Sequence, residues 1–157
     1  LGRLPRERPI VILDPAPAQD LSPLPLARID LLTPNRTELA TLTGIEDVEK
    51  GARRLLALGA RGVVCKAGGE GAYWIDKALV HVPTIPIDVV DSTAAGDAFN
   101  GALGCAVTER PIVEAIRFAN AAGALAATKR GAQPSLPRRD EVERLLASAA
   151  APLRERR

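Results

Sequence analysis

Residues 89–103 of the chain read VVDSTAAGDAFNGAL, and this stretch is the most informative one about the fold. An apolar run ends at Asp91 and small residues follow it. A helical pattern then begins, with apolar residues four positions apart at Phe99, Leu103 and Val107. A strand that leads through a short turn into a helix is a building unit of α/β folds. The stretch therefore predicts a strand, a turn of small residues and an amphipathic helix.

The predicted turn is suited to binding an anion. Backbone N–H groups in the first turn of a helix have no partner within the helix, and the helix dipole is positive there. The small side chains of Ala94, Ala95 and Gly96 let an anion come close to these groups. Asp97 could take a proton from a hydroxyl while the N–H groups stabilise a transferred phosphoryl group, or it could merely stabilise the helix start. Asp91 is better placed to bind a cation or to brace the loop.

Strand-like and helical segments alternate along the rest of the sequence, which predicts one α/β domain over residues 1–157 with a largely parallel sheet flanked by helices. Short apolar runs bounded by turn residues predict the strands, and apolar residues at helical spacing predict the helices. The predicted strands are residues 9–14, 29–32, 62–68 and 85–90 and the hairpin 72–75/79–82, and the predicted helices are 35–44, 48–59, 96–107, 111–128 and 140–149.

Composition argues against several classes of function. Lysine and arginine (21) nearly balance aspartate and glutamate (19), and only four aromatic residues are present, so neither a basic groove nor a base-stacking surface for nucleic acid is expected. No apolar run reaches the ~18–20 residues that span a bilayer, and the first residues lack a signal-peptide pattern. We expect a cytoplasmic protein without membrane or nucleic-acid partners.

Neither the cysteines nor the single histidine indicate a catalytic or metal site. Cys65 and Cys105 lie apart in apolar runs, one in a predicted strand and one in a predicted helix, so we expect reduced thiols in the core. His81 is predicted on a strand surface, and a single histidine excludes the HExxH metal motif. Neither GxxxxGK[ST] nor GxGxxG occurs, which argues against a P-loop enzyme or a typical dinucleotide-binding dehydrogenase.

The sequence lacks methionine altogether, even at position 1, and a strand-like run begins at Ile10. This predicts that the chain is the C-terminal part of a longer protein.

Several segments together resemble the ribokinase (PfkB) family of carbohydrate kinases. The stretch DSTAAGDAFNGAL from Asp91 resembles the family's C-terminal signature. Four further segments match in the same order along the chain: DPAPA at Asp14, TPNRTEL at Thr33, GVVCKAGGEGAYW at Gly62 and FANAAGALAATKRGAQPSLP at Phe118. The resemblance implies a three-layer ribokinase-like fold of which this chain is the C-terminal, nucleotide-binding and catalytic half.

The resemblance also implies roles for individual residues. Asp97 matches the catalytic base that deprotonates the sugar hydroxyl, and it would also touch the substrate. The backbone of Ala94, Ala95 and Gly96 matches the anion hole. Several groups of residues would contact ATP. Asn35 and Glu38 match an Asn-x-x-Glu motif that organises the phosphates and Mg²⁺, and Asn120 is predicted on a helix surface near the adenine. The other contacts would come from the anion-hole residues Gly96 and Asp97 and from the loop Lys66, Ala67, Gly68, Gly69, Glu70 and Gly71. Without the resemblance, Asn35 and Glu38 would be read as a helix cap and the loop as a hairpin turn.

A site for a monovalent cation, K⁺, is implied next to the anion hole. Its ligands by position would be the Asp91 carboxylate, the Thr93 carbonyl and groups from Ala126, Lys129, Gly131 and Ser135. An ordinary irregular loop is the alternative.

The implied activity is ATP-dependent transfer of the γ-phosphate to the 5-hydroxyl of D-ribose. Fructokinase-like, deoxygluconate-kinase-like and nucleoside-kinase-like enzymes share the same base and anion hole. A catalytically inactive nucleotide-binding remnant is the alternative from another class. The sugar-binding half and the lid of such enzymes lie upstream of the matched segments, so we expect the 157 residues alone to be inactive. A homodimer is left open for the full-length enzyme.

Overall fold

The computed structural model describes residues 8–150, which form a five-stranded sheet packed between helices. The strands are β1 (Ile12–Leu13), β2 (Leu31–Leu32), β3 (Val63–Lys66), β4 (Ala72–Ile75) and β5 (Leu79–Val82), and the helices are α1 (Arg36–Thr43), α2 (Val48–Ala57), α3 (Ala95–Ala106), α4 (Ile112–Ala127) and α5 (Arg139–Ala150). Short 3₁₀ turns lie at Leu26–Arg28, Gly68–Glu70 and Gln133–Ser135. The predicted α/β fold is confirmed, and the element order agrees with the prediction except for one strand.

The strands lie side by side in chain order. β1, β2 and β3 are parallel, and β4 and β5 continue the sheet as an antiparallel hairpin. A long loop with one 3₁₀ turn joins β1 to β2, and α1 and α2 join β2 to β3, whereas a tight turn at Asp76 joins β4 to β5. The carboxyl ends of the three parallel strands consequently lie at one edge of the sheet.

Two apolar clusters, one on each face of the sheet, give three layers. Successive residues of a strand point to opposite faces. Leu31 and Val64 pack with α3, α4 and α5, whereas Leu32 and Val63 pack with α1 and α2. The three-layer prediction is confirmed. Within residues 8–150, no helix combines the length and apolarity that a bilayer crossing needs.

One predicted strand is absent. Residues 85–90 pair with no strand, although their apolar composition predicted one. Pro83 and Pro86 lack the N–H groups that a ladder needs, and the Val90 N–H donates instead to the Ala127 carbonyl at the end of α4 (2.8 Å). Val89 and Val90 remain 67% and 54% exposed, so this segment runs along a helix rather than inside the sheet.

The cysteine prediction is half right. Both thiols are free, and Cys65 is buried in β3, where burial raises its pKa to about 11. Cys105 is exposed, because the apolar stripe of α3 runs through Phe99, Leu103 and Ala106 and leaves position 105 on another side of the helix. His81 lies on the exposed surface of β5, as predicted, and its Nε2 is 2.8 Å from the Glu70 carbonyl.

Candidate active site

Three residues of the candidate site lie at or just beyond the carboxyl ends of the parallel strands. Asp14 comes after β1, Asn35 after β2, and Lys66 ends β3. The Lys66 N–H donates to the Pro34 carbonyl (2.8 Å), and Asn35 and Lys66 form an isolated parallel bridge. The start of α3 reaches the same edge, since a Cβ built on Gly96 would lie 3.8 Å from Lys66 Nζ. Open α/β sheets bind ligands at this edge.

The start of α3 leaves backbone donors available. Ala94 precedes the helix with φ 61° and ψ 7°, the only positive φ of a non-glycine residue in the range 8–150. Among the described residues, no side chain caps the helix. The Ala95 N–H donates to the Ser92 carbonyl (3.1 Å), whereas the N–H groups of Gly96 and Asp97 have no acceptor among the described residues. These two groups can bind an anion, which the helix dipole also favours.

Asp97 is the third residue of α3 and is exposed. Its carboxylate accepts no hydrogen bond from any residue that the structure describes. Asn35 and Asp47, by contrast, accept backbone N–H groups as caps of α1 and α2. Asp97 also lines a cavity of about 260 Å³ between α3, α4 and the start of α5. Its carboxylate is therefore available to a ligand instead of being used as a cap.

Asn35 and Glu38 form a complete capping box at the start of α1. Asn35 Oδ1 accepts the Glu38 N–H (2.8 Å), and Glu38 Oε2 accepts the Asn35 N–H (2.7 Å). This confirms the helix-cap interpretation. Glu38 Oε1 accepts no hydrogen bond from the described part of the chain, so one carboxylate oxygen is left for another partner.

A cavity of about 220 Å³ runs from this edge along α3 and α4. Of the predicted nucleotide residues, it is lined by Lys66, Gly68, Gly69, Gly71, Gly96 and Asn120. Ala67, Glu70, Asn35, Glu38 and Asp97 do not line it. Glu70 points to Arg36 (2.6 Å) and accepts the Tyr73 hydroxyl (2.9 Å).

Sequence reasoning missed the apolar wall of this cavity, which consists of Ile87, Val89, Phe99, Gly123, Ala124 and Ala127. An apolar wall beside polar loop atoms suits a planar ring that carries a polar tail. The signal in the sequence was the apolar residues Ile87, Val89 and Val90, which instead predicted a strand.

Asn120 is buried, not on the helix surface as predicted. It is 6% exposed, and its Nδ2 donates to the Val82 carbonyl (2.8 Å). The amide therefore connects α4 to the end of β5 by a hydrogen bond, and it also lines the cavity.

Asp91 connects the two loops that the cation prediction named. Its Oδ2 accepts the Gly131 N–H (3.0 Å) and its Oδ1 the Thr93 N–H (2.9 Å). These bonds, that from Gly131 first, lower the pKa of Asp91 to about 2. The Asp91 N–H in turn donates to the Ala127 carbonyl (3.2 Å). The bracing role is therefore observed directly.

The other predicted cation ligands lie around the end of α4. The Ala126 carbonyl accepts the Lys129 N–H (3.2 Å), and the Lys129 ammonium pairs with Glu141 (3.3 Å). Ser135 is fully buried and its Oγ donates to the Ala132 carbonyl (2.7 Å). Among residues 8–150, no three His, Cys, Asp or Glu side chains converge as a metal cluster.

A side-chain cluster at the same edge joins Lys66, which is predicted to contact ATP, to two residues without a predicted role. The Lys66 ammonium lies 2.9 and 3.0 Å from the two carboxylate oxygens of Asp14, and Asn100 Nδ2 donates to Asp14 Oδ2. Asp14 was visible only as the first residue of DPAPA.

Comparison with known proteins places this geometry in a family. The sequence pattern of the pfkB family carbohydrate kinases matches residues 6–139. The chain is 40% identical over 146 residues to the ribokinase of Haemophilus influenzae (88% of this chain, 48% of that protein). It is 38% identical over 130 residues to fructokinase-1 of Oryza sativa subsp. japonica (76% of this chain, 40% of that protein).

Among solved structures, Arabidopsis thaliana ribokinase complexed with ribose and ATP matches with a TM-score of 0.80 and 35% identity. The match covers 87% of this chain and 47% of that one. The chain thus spans about half the length of the curated relatives it matches. From the extent of the family match, this chain belongs to the pfkB family of carbohydrate kinases.

Proposed function

We propose that the chain supplies the nucleotide-binding and catalytic part of an ATP-dependent sugar kinase. Asp97 acts as the general base toward the sugar hydroxyl, and the N–H groups at the start of α3 bind the transferred phosphoryl group. The observation that carries this proposal is the pair of unused N–H groups, of Gly96 and Asp97, beside an exposed carboxylate that accepts no hydrogen bond in the described range.

The cavity beside these groups supports ATP as the phosphoryl donor. Its apolar wall suits an adenine ring, and Gly68 and Gly69 present backbone atoms at the end where the phosphates would lie. The Arabidopsis relative in complex with ribose and ATP supports both small molecules as ligands. We propose the 5-hydroxyl of ribose as the acceptor. Fructose is the competing acceptor, because the identities to a ribokinase and to a fructokinase are nearly equal.

The unused carboxylate oxygen of Glu38, at the start of α1, fits Mg²⁺. This ion prefers oxygen ligands and usually keeps several waters while it contacts phosphates. The free Oε1 of Glu38 would hold it through water, with Asn35 fixing the orientation of that carboxylate. When bound, Mg²⁺ supplies charge neutralisation for the phosphates.

The loops joined by Asp91 fit K⁺, since they offer carbonyl and carboxylate oxygens close to the start of α3. In an active enzyme containing this chain, we expect K⁺ to raise turnover and Asp91→Ala to remove that dependence. Equal rates in K⁺ and in a bulky organic cation at matched ionic strength would refute the cation site.

The decisive test uses Asp97→Asn in a polypeptide in which the first half of the Haemophilus relative precedes residue 8. We expect transfer of γ-phosphate to ribose to fall by about 10²–10⁴-fold, because general-base catalysis is worth that much. ATP affinity, measured by calorimetry, should stay within about twofold, since the anion hole is backbone and asparagine is accepted at helix starts.

Asp140→Asn provides the matched control, because it makes the same change at an exposed position of α5. It should leave the rate unchanged. Transfer by the Asp97→Asn protein within a few-fold of the parent rate would show that Asp97 is not the base. Fructose and a nucleoside, assayed beside ribose, identify the acceptor. The 157-residue chain alone should show no robust transfer, because positioning of the acceptor supplies much of the barrier reduction.

A further inference from the structure

A three-residue cluster of Asp14, Lys66 and Asn100, the ammonium cluster, lies where β1, β3 and α3 meet. The Lys66 ammonium contacts both carboxylate oxygens of Asp14 at 2.9 and 3.0 Å. Asn100 Nδ2 donates to Asp14 Oδ2, and this amide orientation follows from chemistry because a carboxylate only accepts. The Lys66 side chain is 13% exposed and that of Asp14 29%, so the pair is sheltered from bulk water.

The geometry leaves the ammonium with capacity for a further ligand. An ammonium has three N–H donors, and the Asp14 oxygens take two of them. Within the described part of the chain, no other acceptor binds Lys66 Nζ. The same side chain lines the cavity beside α3, and Nζ lies 3.8 Å from the position of a Cβ on Gly96.

A purely structural ion pair explains this arrangement poorly. The desolvation of two sheltered charges offsets most of their attraction, so such pairs contribute little to stability compared with apolar side chains of similar size. The ammonium is also placed beside the unused N–H groups of α3, 3.8 Å from the position of a Cβ on Gly96, at the end of the helix where the dipole favours an anion. An anion at this helix start would meet donors from the backbone and from Lys66 together.

We propose that the Lys66 ammonium binds the terminal phosphate of the nucleotide and that Asp14 and Asn100 are positioning residues that hold it there. This rests on the proposed function, because it assumes that a nucleotide occupies the cavity. Asp14 fixes the ammonium by two hydrogen bonds, and Asn100 fixes Asp14 from α3. The start of α3 and its phosphate-binding cation therefore move as one unit.

The test measures binding of ATP and of adenosine to the full 157-residue chain by calorimetry in EDTA at fixed ionic strength. In Lys66→Met, we expect ATP affinity to fall about tenfold or more, because a charge-assisted hydrogen bond is lost. Adenosine affinity should stay within about twofold. Lys66→Gln should behave like Lys66→Met, and Lys66→Arg should recover most of the loss. Lys77→Met removes the same charge from an exposed hairpin turn and should change neither affinity.

A double-mutant cycle tests the positioning role. Asp14→Asn should weaken ATP binding a few-fold in the parent chain and have no effect in the Lys66→Met background, because residues that act through one another are not additive. If Asp14→Asn strengthens ATP binding equally in both backgrounds, the carboxylate only repels phosphate and positions nothing.

Equal losses of ATP and adenosine affinity in Lys66→Met and Lys66→Gln would overturn the phosphate contact, since they indicate a deformed cavity. Unchanged ATP affinity in both variants would also overturn the phosphate contact. If the parent chain binds adenosine and ATP but the variants show no selective loss, only the present inference fails. If the parent chain binds neither, the proposed function fails as well. Circular dichroism of each variant verifies that it is folded.

Discussion

Asp91 and Gly131 are joined by a hydrogen bond of 3.0 Å, although 40 residues separate them in the chain. Through this bond and the one from Thr93, a single carboxylate ties the turn before α3 to the loop after α4. The turn carries the candidate anion site, so its position depends on whether Asp91 is ionised.

The first prediction concerns pH. The pKa of Asp91 is lowered from 3.8 to about 2, so ionisation of Asp91 stabilises the folded chain fully above pH ~4, and the effect disappears as the pH falls toward 2. We expect the parent chain to be more stable than Asp91→Asn at pH 7 and the difference to shrink between pH 4 and 2. Urea unfolding at several pH values measures this.

The ionisation of Asp91 can also be followed directly by NMR. The amide proton of Gly131 should shift in NMR spectra with a midpoint near pH 2, and the shift should be missing in Asp91→Asn. A midpoint near 3.8 would contradict the bracing role.

The second prediction compares two glycines of one loop. Gly71 has φ +99°, and a Cβ there would lie 2.3 Å from the Val82 carbonyl and 2.6 Å from the Thr84 nitrogen, both backbone atoms. Gly71→Ala should therefore cost more than about 2 kcal/mol of unfolding free energy. Gly69→Ala meets nothing within 4 Å and should change stability by less than about 0.5 kcal/mol. Equal losses for the two variants would contradict the loop geometry.

The third prediction concerns the backbone of the anion site. Ala94 adopts a left-handed conformation that costs an alanine about 1–2 kcal/mol. Ala94→Gly removes this cost but raises the entropy of the unfolded chain, which destabilises by about 0.4–1 kcal/mol, so we expect a net gain of up to about 1.5 kcal/mol. Ala102→Gly, in the middle of α3, should instead lose about 0.5–1 kcal/mol. Denaturant unfolding measures the stability of both variants. Equal losses of stability in Ala94→Gly and Ala102→Gly would show that Ala94 is not left-handed.

The fourth prediction concerns the different reactivity of the two thiols. Burial raises the pKa of Cys65 to about 11, so little thiolate is present at pH 8, whereas Cys105 is exposed. Ellman's reagent should react with one thiol per native chain and with two in denaturant. The native chain carrying Cys105→Ser should show almost none. Rapid reaction of two native thiols would contradict the burial of Cys65.

The sequence predicted elements well where local chemistry determines them. Asn35 and Glu38 are three residues apart in a capping pattern, and the structure contains that capping box. Pro111 and the apolar spacing after it likewise predicted α4 nearly to the residue. Residues 85–90 were misread because composition indicates a strand, whereas Pro83 and Pro86 prevent ladder pairing.

The parts of the site that sequence reasoning missed depend on distant contacts. Asn120 follows the exposed Glu114 and Arg117 at a spacing of three residues, which favours one helix face, so only the contact with Val82 in the fold shows that the amide is buried. Asp14 and Asn100 are 86 residues apart, and only the fold places them together. Asp97, Gly96 and Ala94 could be identified because the turn and the helix start that they form are contiguous in sequence.

The order of the strands has a consequence for how the chain folds. Each strand pairs with the strand made immediately before it, so the sheet forms between strands that are neighbours in the chain. The contact between Asp14 and Asn100 instead closes 86 residues, and loop-closure entropy rises with the length closed. Forming the site therefore costs more loop-closure entropy than pairing neighbouring strands, and a newly synthesised chain can bind an anion at this edge only after α3 has been made and has returned to β1.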